Sequence, residues 1–255
     1  MTMLVDAHIH LTDEEFVGLL QPAVNMLRFL NIKAVSVSMD MITTTKNMEL
    51  ASSYGDVVIP FVGIHPCSAN ENTEEFVDFV SKNADKIAGI GEIGLDRKYG
   101  SGNPDGYRRQ KDVFEHMLAL AERFGKPTSI HSRGSVDDVL DVLKSYKLKG
   151  NLLHWFAGSK KQVKMATDMG CYLSYGPVLV YSEDKRSLLR DTLKELLLVE
   201  TDGPVRYGRC FEDKAALPSF LPSVVFVLAK TLAIDYNDAC NILAQNSQQY
   251  LNRVL

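Results

Sequence analysis

Leu4-Val5-Asp6-Ala7-His8-Ile9-His10 opens the chain on an apolar run that carries two histidines one residue apart. So short a run, so early, reads as a first strand. Alternate side chains of a strand share a face, so His8 and His10 stand about 6 to 7 Å apart on one side, as one metal ion requires. Working outward, further apolar runs cover Ala34 to Met39, Val57 to His65, Ile87 to Leu95, Thr128 to His131, Asn151 to Phe156, Cys171 to Tyr175 and Leu197 to Asp202. Helical patterns separate them, and Gly55, Gly125, Gly150 and Gly170 stand just ahead of the next run, where a helix C′ residue belongs. Helix starts are marked by Thr12-x-x-Glu15 and Ser159-x-x-Gln162, which read as capping boxes, and by Ser135 as an N-cap ahead of Asp137 and Asp138. This alternation predicts an α/β fold, a (β/α)8 TIM barrel formed as a single domain over residues 1–255, with a doubly wound open sheet as the alternative. Asp235 to Leu255 exceeds the eight pairs and reads as an extra C-terminal helix on the outside. The stripe Leu221, Val224, Val225, Leu228 and Leu232 faces the core.

With 45% hydrophobic and 24% charged residues, the chain can bury a large core and carries no disordered composition. No apolar run reaches the roughly 18 residues of a membrane span. The start lacks the basic region of a secretory signal, so a cytoplasmic protein is expected. Cys67, Cys171, Cys210 and Cys240 are far apart, which excludes a disulfide framework and a zinc ribbon. A net charge of −4 repels polyanions, so any nucleic acid must be held by local cations or by metal. Such cations follow several strand ends, among them Arg97, Lys98, Arg133, Arg206 and Arg209, but Asp96, Glu183, Asp184, Glu212 and Asp213 share their loops. A DNA end or small oligonucleotide suits this mixed rim better than a long duplex.

The predicted strand ends carry the chemistry. His8 and His10 end the first strand, His65 the third, Glu92 the fourth, His131 the fifth, His154 the sixth and Asp202 the eighth. In a barrel those ends converge on the face that bears the active site. Only His116 falls on a helix pattern, where it reads as an ordinary surface residue. Imidazoles and carboxylates without thiolates suit Zn, Mn or Mg. The set exceeds the four ligands of a closed structural site, so two ions are the better count. Glu92, with two carboxylate oxygens, can bridge them. Cys67 reads as a thiol outside the chemistry. Trp155, beside His154, reads as packing between barrel and helices, with base stacking as the alternative.

These residues in their surroundings resemble the TatD family of metal-dependent hydrolases, a branch of the amidohydrolase-like barrel enzymes. The resemblance runs through Asp6 to Leu11, Gly63-Ile64-His65-Pro66, Gly91-Glu92-Ile93-Gly94-Leu95-Asp96, His131-Ser132-Arg133, His154 to Gly158 and Glu200-Thr201-Asp202-Gly203-Pro204. It implies a barrel with two divalent metals that hydrolyses ester bonds, most often phosphodiesters in DNA. By position it implies His8 and His10 on one ion, Glu92 between the two, His131 and His154 on the other, and Asp202 beside the attacking water. His65 and Arg133 match positions near the substrate. Gly134-Ser135 and Trp155 depart from the residues usual in the family, which touches substrate preference and not the ligand set.

Two metals about 3.5 to 4 Å apart make a bound water acidic near neutral pH, and Asp202 would then take or steer its proton. Arg133 and His65 would clamp the phosphate. The runner-up is an amide or lactone hydrolase of the wider superfamily; many of those bridge their metals with a modified lysine, whereas Glu92 stands here. A metal-free scaffold on the same barrel is the third reading, and it would require a vestigial ligand set.

Overall fold

The computed structural model describes residues 2–99 and 104–252. Eight strands run parallel in chain order: β1 (Leu4–Ile9), β2 (Ile32–Ser36), β3 (Val58–Val62), β4 (Gly89–Gly94), β5 (Thr128–His131), β6 (Asn151–Leu153), β7 (Tyr172–Tyr175) and β8 (Leu197–Val199). The sequence reading of a (β/α)8 barrel therefore holds, and the open doubly wound sheet does not. Past the last ladder, the seam between β8 and β1 is tied by single bonds. The Asp202 amide donates to the His8 carbonyl at 2.9 Å and the His10 amide to the Gly203 carbonyl at 2.8 Å. Below them the Asp6 carboxylate accepts from the Thr201 amide at 2.9 Å and from its hydroxyl at 2.5 Å.

Helices α1 (Leu20–Phe29), α2 (Met41–Tyr54), α3 (Thr73–Asn83), α4 (Pro104–Phe124), α5 (Val136–Leu143), α6 (Lys160–Asp168) and α7 (Glu183–Asp191) connect the strands. After β8 come a short hairpin of β9 (Arg206–Tyr207) and β10 (Lys214–Ala215), then α8 (Leu221–Thr231) and the extra helix α9 (Tyr236–Leu251). Ser159 and Gln162 form the expected capping box of α6. The other two starts differ. Asp13, not Thr12, caps the first turn after β1 by accepting from the Glu15 amide. Ser135 sends its hydroxyl to the Leu95 carbonyl at 2.6 Å instead of capping α5. Gly55 stays right-handed at the end of α2, while Gly125, Gly150 and Gly170 take positive φ as read. On α8, Leu221, Val224, Val225 and Leu228 are buried, and Leu232 packs against the same core.

Two apolar layers result. The larger lies between strands and helices; the smaller fills the barrel, with Val5 and Ala7 from β1, Val35, Ile59, Phe61, Leu152, Tyr172 and Leu198. Tyr250 from the end of α9 enters this inner layer beside Phe61 and Tyr172, and its hydroxyl donates to the Thr128 carbonyl at 3.0 Å. The lower half of the barrel is thus an apolar, plugged floor. Polar residues occupy the upper half. Among the described residues no single helix is long and apolar enough to cross a membrane.

Candidate metal centre

Two strands carry an irregularity just below the residues of interest. Between β1 and β2 the pairing passes from Asp6↔Ala34 to Ile9↔Ser36, three residues against two. Between β4 and β5 it passes from Ile90↔Thr128 to Ile93↔Ile130. An extra residue in a strand re-aims the side chains that follow. Val5 and Ala7 fill the barrel, yet His8 and His10 also point inward, because the bulge falls between the two pairs. Glu92 turns inward at the bulge in β4. The turn of backbone needs room: a side chain at Gly63 would place its Cβ 2.5 Å from the Glu92 carbonyl oxygen. Gly94, at φ +135°, leaves no space for a Cβ against the His131 carbonyl.

The inward groups form two clusters that share Glu92. In one, His8 Nε2 and His10 Nε2 lie 3.2 Å apart. Glu92 Oε2 is 3.5 and 3.3 Å from them, and Asp202 Oδ1 3.6 and 3.4 Å. In the other, Glu92 Oε1 lies 2.8 Å from His154 Nε2, 2.9 Å from His131 Nδ1 and 3.5 Å from His65 Nε2. Donors about 2.0 to 2.1 Å from a tetrahedral centre stand about 3.4 Å from each other. In the first cluster each imidazole nitrogen has about that spacing to the other and to both carboxylates, so its residues fit a divalent ion. The donor types fit as well: imidazole and carboxylate, no thiolate.

Electrostatics agree with shared positive charge at this point. Burial raises the Glu92 pKa, but the His65, His154 and His8 imidazoles outweigh it and hold the carboxyl well below its usual range. Asp202 is likewise depressed, burial being overcome chiefly by its bond with His10. Burial drives His8 and His65 down to about 4, which leaves both neutral with a lone pair to give. At His131 burial is overcome by hydrogen bonds with Asp96 and Glu92, and the pKa rises to about 9. Carboxylates that hold a proton on a neighbouring imidazole hold a cation equally well.

His8, His10, Glu92, His131, His154 and Asp202 converge, and His65 and Arg133 line the same cavity of about 340 Å³ at the C-terminal mouth of the barrel. Asp202 sits at φ +50°, a left-handed conformation that aspartate tolerates better than most residues. Arg133 is not a free arm. Its Nε donates to Asp96 Oδ2 at 2.8 Å and its guanidinium lies 5.1 Å over the Tyr99 ring, which leaves its terminal nitrogens for an anion. Trp155 departs from the packing read for it: the residue lines the cavity, at φ +41°. Cys67 stands behind His65, Sγ 2.9 Å from Nδ1, and the exposed His116 bonds to its own helix, at the Asp112 carbonyl. The charged rim is mixed as expected, with Arg97 on Asp138, Arg206 on Glu15 and Arg186 on Glu183.

Three supporting residues escaped the sequence reading. Asp96 Oδ2 faces His131 Nε2 at 2.7 Å, Ser129 Oγ faces His8 Nδ1 at 2.8 Å, and Glu200 accepts from the Trp155 amide at 2.7 Å and from Ser174 at 2.5 Å. Ser129 lies two residues before His131 within β5, so strand alternation places it on the ligand face, whereas Glu200 lies past the end of β8, where alternation gives no signal. Partners of this kind fix which imidazole nitrogen carries the proton.

The family model for TatD-related DNase matches residues 5–252. The chain belongs to the TatD-related DNase family. An uncharacterized metal-dependent hydrolase of Bacillus subtilis, YabD, is 28% identical over 97% of this chain and 98% of its own length. The 3'-5' ssDNA/RNA exonuclease TatD of Edwardsiella piscicida is 26% identical over 96% of this chain and 98% of its own. Among solved structures, the TatD homologue YjjV of Escherichia coli superposes with a TM-score of 0.89 at 22% identity, covering 98% of both chains, which shows the shared fold. This TatD-family chain is a metal-dependent hydrolase, and the clusters just described are where a metal can bind.

Proposed function

We propose that this chain is a single-domain phosphodiesterase that cuts DNA ends or oligonucleotides with two divalent ions, Zn, Mg or Mn, held at the mouth of its barrel. The observation that carries the reading is the division of Glu92: one oxygen faces His8 and His10, the other His131 and His154. His8, His10 and Asp202 would hold the first ion, His131 and His154 the second, with Glu92 as the carboxylate between them. Bound divalent ions lower the pKa of water towards neutrality and neutralise charge on a phosphodiester. Asp202 engages the His8 and His10 cluster through Oδ1, so its second oxygen accepts the proton of the attacking water. The Arg133 terminal nitrogens and His65 Nε2 bind non-bridging phosphate oxygens, Arg133 being held for this by Asp96 and Tyr99. The apolar floor below excludes bulk water, so these charges act in a low dielectric. Nuclease relatives such as the Edwardsiella exonuclease support nucleic acid as the substrate.

The test is metal analysis of the purified protein, followed by a panel of labelled single-stranded DNA, a simple phosphodiester, a cyclic amide and a lactone with Mg, Mn or Zn. Two ions per chain and turnover of the phosphodiesters are expected, and Asp202→Ala should abolish turnover. Activity on the amide or lactone alone would overturn the reading, as would undiminished turnover by Asp202→Ala protein.

A further inference from the structure

We infer that Trp155 is a base-stacking platform, receiving an unpaired nucleobase while the phosphate of the same nucleotide lies against the histidine cluster and Arg133. The inference rests on the phosphodiesterase reading and names the part of the substrate that reading leaves open. Trp155 follows His154 directly and is half-buried, lining the same 340 Å³ cavity. Its backbone is in the left-handed region, φ +41°, uncommon for a bulky residue. That conformation is enforced from two sides, since the Trp155 amide donates to Glu200 Oε1 at 2.7 Å and to Ser174 Oγ at 3.2 Å. A strained backbone that its surroundings over-determine is a reason to look for a role.

The ring is braced from behind. Tyr207 lies 5.5 Å away at a tilt of 32°, and is itself fixed by its hydroxyl on the Thr201 carbonyl at 3.0 Å. Tyr207 meets Phe211 at 6.2 Å, and Phe211 stacks on Phe220 at 4.6 Å. An aromatic row thus runs from the hairpin after β8 to the indole and stops at the cavity. Trp155 is only half-buried, and with Met39, Ala157 and Val205 it forms part of a wall that is apolar beside the charged groups. A cavity of 340 Å³ lies at the low end of the ~300 to 1,000 Å³ of small-ligand sites, so it admits a nucleotide and not a duplex. Apolar wall on one side and phosphate-binding groups on the other is the chemistry of an unpaired nucleotide.

Trp155 is the only tryptophan in the chain, so its emission reports on this site alone. The purified protein, with and without added Mg, Mn or Zn, is titrated with dAMP and in parallel with deoxyribose 5-phosphate, exciting at the red edge of indole absorption. Saturable quenching by dAMP and not by the sugar phosphate is expected. An unchanged spectrum with dAMP, or the same change with both, overturns the platform. A second readout is the ratio of kcat/KM for single-stranded DNA over the same strand with abasic terminal residues. Loss of a stacked base should lower that ratio about 5- to 150-fold in Trp155→Ala protein, with Trp155→Phe retaining most of it. An equal ratio in wild type and Trp155→Ala also overturns the inference. Protein that hydrolyses no phosphodiester but is quenched by dAMP would reject the phosphodiesterase reading and keep the platform.

Discussion

Asp96→Asn is a nearly isosteric change whose consequence follows from the tautomer of one histidine. Asp96 is fully buried; Oδ1 accepts from the Lys98 amide at 2.7 Å, and Oδ2 faces His131 Nε2 at 2.7 Å and Arg133 Nε at 2.8 Å. Asparagine keeps the turn at Lys98 with its carbonyl, which turns its NH2 towards two groups that donate. His131 can relieve that opposition only by moving its proton from Nε2 to Nδ1. Nδ1 is the nitrogen that faces Glu92 and His154, 2.9 and 3.4 Å away. A proton there removes the lone pair that an ion needs. Loss of such a supporting partner costs about 10- to 100-fold in metal affinity, or about 1.4 to 2.7 kcal/mol. His8 keeps its own support from Ser129, so the loss should fall on one ion of two. Competition with a chelator, read as metal retained per chain, measures both affinities. Equal weakening of both ions, or no weakening, would refute the tautomer argument. Asp96→Glu offers no rescue, since a longer carboxylate in this buried position displaces the imidazole.

Further outcomes follow from the same structure. Tyr250→Ala should destabilise the barrel by about 3 to 5 kcal/mol by emptying its floor, and lower Tm by about 6 to 20 °C in a thermal melt; a shift below a few degrees would show that α9 does not plug the barrel. Stripping metal with a strong chelator should lower Tm, since an ion present at 100 times its Kd stabilises by about 2.7 kcal/mol; an unchanged melt on stripping would count against resident metal. Lys185 is mostly buried with its ammonium on the Phe156 carbonyl, and burial lowers its pKa to about 8 against 10.5 unfolded. Below about pH 8 the folded state bears the cost of that buried charge. As pH rises from 8 to 10.5 the folded chain gives up the proton first, so stability gains up to about 3 kcal/mol relative to Lys185→Met. Urea unfolding of both proteins across that range measures the difference, and parallel profiles would refute it.

The barrel was legible because short apolar runs recur eight times with helical patterns between them, four of which end at a glycine, and eight strands are found in that order. The ligand set was legible because all of it lies at the ends of those runs. Strand ends were overread. His65, His154 and Asp202 were taken as strand residues, but β3, β6 and β8 stop at Val62, Leu153 and Val199. Ladders end where the backbone bends to aim these side chains, and Trp155 and Asp202 take left-handed φ to do so. The bulges in β1 and β4 were illegible, because one extra residue in a strand leaves no mark in hydrophobic alternation. Asp96 was read as a rim charge for a related reason. Its side chain turns in from a loop, outside any period.

These bulges also explain how one short strand serves two purposes. Uniform alternation along β1 would put Val5 and Ala7 on the face opposite His8 and His10, so a strand could build the floor or the site, not both. The extra residue between them lets Val5 and Ala7 fill the barrel below while His8 and His10 enter it above. β4 meets the same demand differently. Gly89 gives its space to the Phe61 ring, Gly91 lies against Ser129, and Glu92, within the irregularity, projects between the histidines. Packing of the floor and placement of the charged cluster are thereby decoupled within a few residues of chain. A deletion that restored regular pairing in β1, such as removal of Ala7, should therefore turn either the floor or the His-x-His pair outward. Loss of metal with a retained fold, or loss of the fold itself, are the two outcomes that this geometry allows.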